Sequence, residues 1–253
     1  MLRILLLLFV IFFPARLLAY HRIVSLDLCT DWLLAKYAGK QQVAGLSPMA
    51  DWFPVAWIGN SWPRHNGSLE QILSLKPDLV ISGEYNAALL RQRLKSLGVN
   101  VQVLKLPKSI SDVQAYEKKM LSFLGLSEKL ATRPDYKKYT GPARSLLILG
   151  ANGIGTGRNT FENELIHAAG WKNYLQTNGY VNLNLEKIIL NPPDAILWTV
   201  PAYNALANQF AEHPALLEKI PKQRWIHTEY WRWQCPGPWS WQLVNELKQW
   251  QKK

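Results

Sequence analysis

Two copies of one short pattern decide the fold of this chain. The first, SLEQILSLKPDLVI, occupies residues 68–81, and the second, NLEKIILNPPDAIL, occupies residues 184–197. Each copy begins with Ser or Asn, which cap helix N-termini, and continues for two helical turns until a proline ends the helix. An Asp then leads into an apolar run that is typical of a buried strand. The repeat therefore predicts two lobes built on one plan.

An alternation of strands and helices extends outward from both copies. In the first half the pattern predicts strands at residues 21–26, 42–46, 78–82 and 101–106, with helices at 30–37, 69–75 and 87–97. In the second half it predicts strands at 145–149, 195–199 and 225–228, with helices at 161–169, 185–190 and 239–251. Alternating units of this kind form mainly parallel sheets with helices on both faces. We expect an α/β chain of two Rossmann-like lobes, residues 20–108 and 141–253, joined by a helical connector at 109–140.

Composition narrows the class of protein. The chain has 253 residues, of which 48% are hydrophobic, so it can bury a large core and is not intrinsically disordered. Its formal charge is +11, but the basic residues are scattered in pairs and form no stripe, so we expect no nucleic-acid partner. The 12 Trp residues lie mostly near the two ends of the chain, which predicts an aromatic surface assembled from both ends.

Residues 1–19 have the layout of a cleavable signal peptide. Arg3 is followed by an apolar run at residues 4–13, then by Pro14 and the small residue Ala19. The run is shorter than the roughly 20 residues that a membrane-spanning helix needs, although a retained N-terminal anchor is an alternative. We expect cleavage near Ala19 and export to an oxidising compartment, where a disulfide is chemically permitted.

Read in order, several motifs together resemble a known family. They are RIVSL at residues 22–26, the first repeat copy, LKSLGVNV at 94–101, GTGRNTF at 155–161, AGWKN at 169–173 and the second repeat copy. This order is similar to that of the periplasmic substrate-binding proteins of ABC importers for cobalamin, haem and ferric siderophores, in which a helix joins two lobes. One departure is Pro134, which predicts a kinked or shortened connector.

The resemblance implies a function as well as a fold. A periplasmic, monomeric binding protein of this kind captures a small molecule in a cleft between its lobes and delivers it to an importer permease in the inner membrane. It has no catalytic residues and no cofactor of its own. The ligand would be a metal chelate, with cobalamin or a related corrinoid as the first expectation and haem or a ferric siderophore as the next.

In such a fold the ligand lies on loops at the carboxyl ends of the strands. Aromatic side chains on these loops would supply contact area for a large, flat ligand, and Arg158 would pair with a ligand carboxylate or phosphate. The predicted ligand-binding residues are Met49, Trp52, Trp57, Glu84, Tyr85, Asn86, Arg158, Tyr180, Tyr230, Trp231 and Trp233.

The resemblance also assigns roles to two residue pairs. Glu70 and Glu186 occupy the positions at which an exposed Glu on each lobe meets the permease, although a carboxylate in the first turn is also favoured by the helix dipole alone. Cys29 and Cys235 would lie on loops of opposite lobes that face one cleft. Three alternatives follow for them: a disulfide across the lobes, free thiols that contact the metal of the ligand, or unrelated buried thiols.

Two other classes of protein deserve comparison. The glycine-rich segment at residues 150–157 follows a predicted strand and suggests an exported enzyme that binds a nucleotide-like ligand, but its spacing is not G-x-G-x-x-G. The five His residues have no i, i+4 pair, so we expect no site for a bare metal ion. Binding of a chelate without catalysis remains the favoured interpretation.

Overall fold

The computed structural model describes residues 19–126, 139, 141–200 and 206–251. Residues 1–18, which contain most of the predicted signal peptide, lie outside the described part. Residues 127–138 and 140 do as well, and they include the predicted connector kink at Pro134. Within the described residues, no helix combines the length and apolar character needed to cross a membrane.

The first lobe contains a parallel four-stranded sheet. Its strand order is β2-β1-β3-β4, and every neighbouring pair is parallel. The strands are β1 (Ile23–Ser25), β2 (Val43–Gly45), β3 (Leu79–Gly83) and β4 (Val101–Leu104). The helices are α1 (Leu28–Tyr37), α2 (Met49–Trp52), α3 (Leu69–Ser74), α4 (Ala88–Ser96) and α5 (Asp112–Phe123). Alternating β and α units thus produce the predicted layer of parallel strands.

The second lobe contains a mixed six-stranded sheet in the order β10-β9-β5-β6-β8, with β7 beside the first residues of β5. Its strands are β5 (Ser145–Leu149), β6 (Ile154–Thr156), β7 (Lys172–Asn173), β8 (Tyr180–Asn182), β9 (Ala195–Trp198) and β10 (Trp225–His227). Its helices are α6 (Phe161–Ala168), α7 (Leu185–Leu190), α8 (Pro214–Lys219) and α9 (Ser240–Trp250). Strands β5, β9 and β10 are parallel, whereas β6 is antiparallel to both β5 and β8.

The structure confirms the repeat as one plan used twice. The Ser68 side chain accepts a hydrogen bond from the Gln71 amide at the start of α3, and Asn184 caps α7 in the same way. The Asp of each copy then ties its strand to the first strand of the lobe. Asp78 accepts from the His21 amide at 2.7 Å, and Asp194 accepts from the Ser145 amide at 2.6 Å.

The predicted connector begins as part of the first lobe. Tyr116, Met120 and Phe123 of α5 are buried in the core that also contains Ile23 and Leu79 of the sheet. The Tyr20 amide donates to the Phe123 carbonyl at 3.1 Å, so the start of the described chain lies against the end of this helix. Helix α5 is therefore held by the first lobe along its length.

Candidate ligand cleft

A cleft of about 680 Å³ lies between the lobes, on the edge where the parallel strands end. The first lobe contributes the segments after β3 and β4, and the second contributes the start of α6, the start of β8 and the loop before α9. The lining residues are Glu84, Tyr85, Leu106, Pro107, Lys108, Asn159, Thr160, Phe161, Glu162, Glu164, Tyr180, Trp233, Gln234 and Pro236. This volume is within the roughly 300–1,000 Å³ that is usual for small-molecule sites.

Hydrogen bonds of Glu84 stabilise the wall of the cleft that the first lobe contributes. The Glu84 carboxylate accepts from the Leu106 amide at 3.0 Å, which joins the segments that follow β3 and β4. Arg91 of α4 donates to the Glu84 carbonyl at 3.0 Å. Tyr85, the next residue, is 75% exposed, so its ring is available to a ligand.

The second wall depends on the cap of α6. The Thr160 hydroxyl accepts from the Asn163 amide at 3.2 Å, which begins the helix and places Phe161, Glu162 and Glu164 at the cleft. Tyr180 donates from its hydroxyl to Glu162 at 3.1 Å while its ring stays 63% exposed. Burial raises the pKa of Glu162, and burial together with the neighbouring Glu162 carboxylate raises the pKa of Tyr180.

The cleft is acidic although the chain as a whole is strongly basic. Three carboxylates, of Glu84, Glu162 and Glu164, line it together with one ammonium group, that of Lys108. The chain carries a formal charge of +11. Because like charges repel most strongly where water is partly excluded, this cleft favours a ligand whose central part is neutral or cationic.

Beside the cleft, four Trp rings from both lobes pack into one cluster, named here the tryptophan cluster: Trp32, Trp57, Trp231 and Trp239. Ring centroids in the cluster lie 5.2–6.5 Å apart, mostly edge to face, which is the favourable arrangement for aromatic pairs. The Trp57 indole donates to the Trp32 carbonyl at 3.0 Å, and that of Trp239 donates to the Cys235 carbonyl at 2.7 Å.

A disulfide joins the lobes at the same place. Cys29 at the start of α1 is bonded to Cys235, with their Cα atoms 5.2 Å apart. Of the three alternatives that the sequence left open, the structure therefore has the bridge. Cys235 and Trp239 are buried in the core of the first lobe, so a segment of the second lobe is inserted there.

The structure brings four of the predicted ligand-binding residues together and leaves seven elsewhere. Glu84, Tyr85, Tyr180 and Trp233 line the cleft. Trp57 and Trp231 pack in the tryptophan cluster, and the remaining residues lie outside the cleft lining: Met49, Trp52, Asn86, Arg158 and Tyr230. Ligand contact by these seven stays a prediction.

Two of the residues outside the lining have a clear local environment. The Arg158 guanidinium donates to the side-chain oxygen of Gln176, so within the second lobe it already has an acceptor. Trp52 is 72% exposed on the short helix α2, where it does not join the tryptophan cluster.

Sequence reasoning missed the contribution of α6. Glu162 and Glu164 stand in the first turn of this helix, where a carboxylate is favoured by the helix dipole whatever its function. The available signal is Thr160, an N-cap residue three positions after the glycine-rich segment. It predicts that a helix begins at the ligand edge, so the first turn of that helix is a candidate for the cleft wall.

The glycine-rich segment has the wrong surroundings for a dinucleotide turn. Residues Ala151–Gly153 form a single turn, and the Gly150 amide donates back to the Ile154 carbonyl at 2.8 Å. The chain then continues into β6, antiparallel to β5, whereas a dinucleotide site requires a helix N-terminus directly after the turn. The geometry thus removes the motif on which the enzyme alternative depended.

Below the ligand edge of the first lobe lies a buried carboxylate. Asp31 of α1 is fully buried and accepts from the Ser47 amide at 2.9 Å and from the Ser47 hydroxyl at 2.5 Å. Burial raises the pKa of Asp31 to about 7, against the opposing effect of these hydrogen bonds. Asp31 therefore links α1 to the segment after β2 and titrates near neutral pH.

The two Glu residues of the repeat are exposed, one on each lobe. Glu70 lies in the first turn of α3 and Glu186 in the first turn of α7.

Among the described residues, no group of three or more His, Cys, Asp or Glu side chains is arranged to hold a bare metal ion.

The geometry defines a class of fold: two α/β lobes, each with a sheet whose carboxyl edge faces a shared cleft. This is the fold of the helix-linked periplasmic binding proteins, and the resemblance noted from the sequence is confirmed at the level of the fold. No family profile matches the chain, and no curated protein matches it significantly.

Three solved structures illustrate the likeness. The periplasmic haem-binding protein RhuT from Roseiflexus sp. RS-1 has a TM-score of 0.67 at 22% identity, with 91% of this chain and 97% of that chain covered. The haem-binding protein HutB of Vibrio cholerae gives 0.67 at 18% identity, covering 92% and 99%. The vitamin B12 binding protein BtuF of Vibrio cholerae gives 0.66 at 16% identity, covering 92% and 96%.

Proposed function

We propose that this chain is a periplasmic solute-binding protein that captures a metal chelate and delivers it to the permease of an ABC importer. The observation that carries the proposal is the cleft of about 680 Å³, which is lined by both lobes and has exposed Tyr rings on each side. Solved structures of the same fold carry the names of haem, iron and vitamin B12 binding proteins, which supports the same class of ligand here. Export through a cleavable signal peptide is part of the proposal.

The charge of the cleft favours a corrinoid over haem. Three carboxylates and one ammonium group face the ligand space. The propionate carboxylates of haem would meet these Glu side chains at close range, which is unfavourable in a partly dry cleft. A corrin ring carries amide side chains around its edge, which donate hydrogen bonds to carboxylates. Cobalamin or a related corrinoid is therefore the first candidate, ahead of haem and anionic ferric siderophores.

Binding is tested by titrating the purified protein with cobinamide, cyanocobalamin and haemin while recording Trp fluorescence and visible absorbance. We expect saturable one-to-one binding of a corrinoid, weaker binding of haemin, and no conversion of either ligand. If haemin binds tightly and both corrinoids do not, the corrinoid assignment is wrong while the solute-binding function stands. If none of these three chelates and no ferric siderophore binds, the proposed function is wrong.

The site is tested with Tyr85→Ala and Tyr180→Ala. Both rings are largely exposed in the free protein, so their removal leaves the fold intact. Each substitution should weaken corrinoid binding by about 1–2 kcal/mol if the ring is a central contact. Leu190→Ala is the matched control, since Leu190 is 76% exposed on the second lobe outside the cleft lining. Unchanged affinity for the corrinoid in both Tyr variants would show that the cleft is not the ligand-binding site.

Delivery to a permease is assigned to Glu70 and Glu186. They are exposed, they belong to equivalent helices of the repeat, and they lie on different lobes. Exposed ion pairs contribute only about 0–1 kcal/mol each, so these residues would set the orientation and encounter rate of docking more than its affinity.

A further inference from the structure

A second groove, of about 540 Å³, opens from the first-lobe wall of the cleft. The two spaces share Glu84, Leu106, Pro107 and Lys108 as lining residues, so they are adjacent. The groove runs between the segment after β4 and helix α5. An arm of a molecule in the cleft would reach the groove by passing over these four residues.

The groove differs from the cleft in charge. Lys105, Lys108 and Lys119 line it, and all three are exposed. Two carboxylates, of Glu84 and Asp112, also line it. The acidic cleft between the lobes thus lies next to a more basic groove on the first lobe.

Both carboxylates of the groove already accept hydrogen bonds from backbone amides. Glu84 accepts from the Leu106 amide at 3.0 Å. Asp112 accepts from the Lys108 amide at 3.1 Å and from the Ser109 amide at 2.9 Å, and its pKa is lowered mainly by its hydrogen bond with the Ser109 side chain. Within the described part of the chain, the ammonium groups of Lys105 and Lys108 make no ion pair or hydrogen bond.

A buried hydroxyl supports the same conclusion. Tyr116 lines the groove and is only 4% exposed, and its hydroxyl has no hydrogen-bond partner among the described residues. A buried hydroxyl without a partner is unfavourable, and burial together with the nearby Asp27 carboxylate raises the pKa of Tyr116, so the hydroxyl keeps its proton. The groove therefore combines an unsatisfied polar group with the ammonium groups of Lys105 and Lys108, while that of Lys119 lies 5.0 Å from the centre of the Phe123 ring.

We propose that this groove binds an anionic, phosphate-bearing arm of the ligand whose neutral or cationic core occupies the cleft. The inference rests on the proposed function and narrows its ligand class to chelates with charge separated in this way. Lys105 and Lys119 line the groove but not the cleft, so they contact the arm, while Lys108 stands at the junction. Charge-assisted contacts between ammonium groups and phosphate oxygens are among the stronger hydrogen bonds.

The test compares two probes that differ only in the phosphate: cobinamide and cobinamide phosphate. The wild-type protein should bind cobinamide phosphate roughly 5- to 20-fold more tightly, and this preference should shrink as salt is added. The double variant Lys105→Gln with Lys119→Gln should lose most of the preference while keeping the affinity for cobinamide. Its matched control is Lys95→Gln with Lys118→Gln, which removes the same charge from exposed positions outside both spaces.

Three outcomes would overturn the inference. Equal affinity of the wild-type protein for both probes would show that the groove does not recognise phosphate. An equal loss of preference in the test and control variants would assign the effect to net charge instead of the groove. If neither probe binds, the corrinoid assignment fails and the inference fails with it, and circular dichroism of each variant identifies any loss of folding.

Discussion

Removal of the disulfide between the lobes should cost the protein a large part of its stability. The perturbation is the double variant Cys29→Ser with Cys235→Ser, which preserves side-chain size closely. The bridged residues are 206 positions apart in sequence. In the chain-entropy model, closing a loop of this length removes enough freedom from the unfolded chain to stabilise the folded state by about 5 kcal/mol.

The overall fold should persist when the bridge is lost, although the cleft wall next to Cys235 is held less firmly. Both cysteines lie among the tightly packed rings of the tryptophan cluster, which hold the two segments together without a covalent bond. The effect of the variant should therefore arise mainly in the unfolded state, which becomes more expanded and exposes more surface. An increase in the urea m-value should accompany the decrease in the transition midpoint.

The assay is equilibrium urea unfolding followed by Trp fluorescence, with wild-type protein in reductant as the matched control. The reduced wild type and the variant should have the same midpoint, below that of the oxidised wild type. A loss of less than about 1 kcal/mol, or two alkylatable thiols in unreduced protein, would refute the reasoning.

Three further predictions concern carboxylate side chains. Folded Asp31 keeps its proton up to about pH 7, whereas the unfolded chain releases it near 3.8. As the pH rises between these values, the free energy of unfolding should therefore decrease by up to about 1.4 kcal/mol per pH unit. In Asp31→Asn the urea midpoint should depend less on pH across pH 4–7, and an equal pH dependence in the variant and the wild type would contradict the assignment. Asp194→Ala should cost about 1–2 kcal/mol in thermal unfolding, because the hydrogen bonds that the Asp194 carboxylate accepts from Ser145 at the start of β5 are lost; an unchanged melting temperature would argue against it. Reversing Glu70 and Glu186 to Lys should abolish uptake in cells while leaving ligand affinity intact, and normal transport would exclude their docking role.

Local patterns made the architecture predictable. Each repeat copy contains a cap residue, a stopping proline and an Asp within 14 residues, and these signals act through neighbouring backbone groups. The same applies to the main strands of both sheets. Strands β6, β7 and β8 are not evident from the sequence because their segments, IGT, KN and YVN, contain no apolar run of the kind that indicates a buried strand.

The site was less predictable because a sequence does not show which way a loop side chain points. Trp231 and Trp233 are two residues apart in the same loop. Trp231 packs against Trp32 across the lobes, whereas Trp233 joins the core of the second lobe and lines the cleft. Both were predicted to contact ligand on the same grounds, and only tertiary packing separates them.

The loop before α9 also couples the disulfide to the cleft. Trp233, Gln234 and Pro236 line the ligand space, while Cys235 between them is bonded to the first lobe. Residues that line the cleft thus stand on both sides of the disulfide-bonded cysteine in one short segment. The disulfide therefore fixes the position of this cleft wall relative to the first lobe before a ligand binds. A preformed cleft binds more tightly because less freedom is lost on association. Loss of the bridge should therefore weaken ligand binding in a fluorescence titration as well as folding, even though neither Cys29 nor Cys235 lines the cleft.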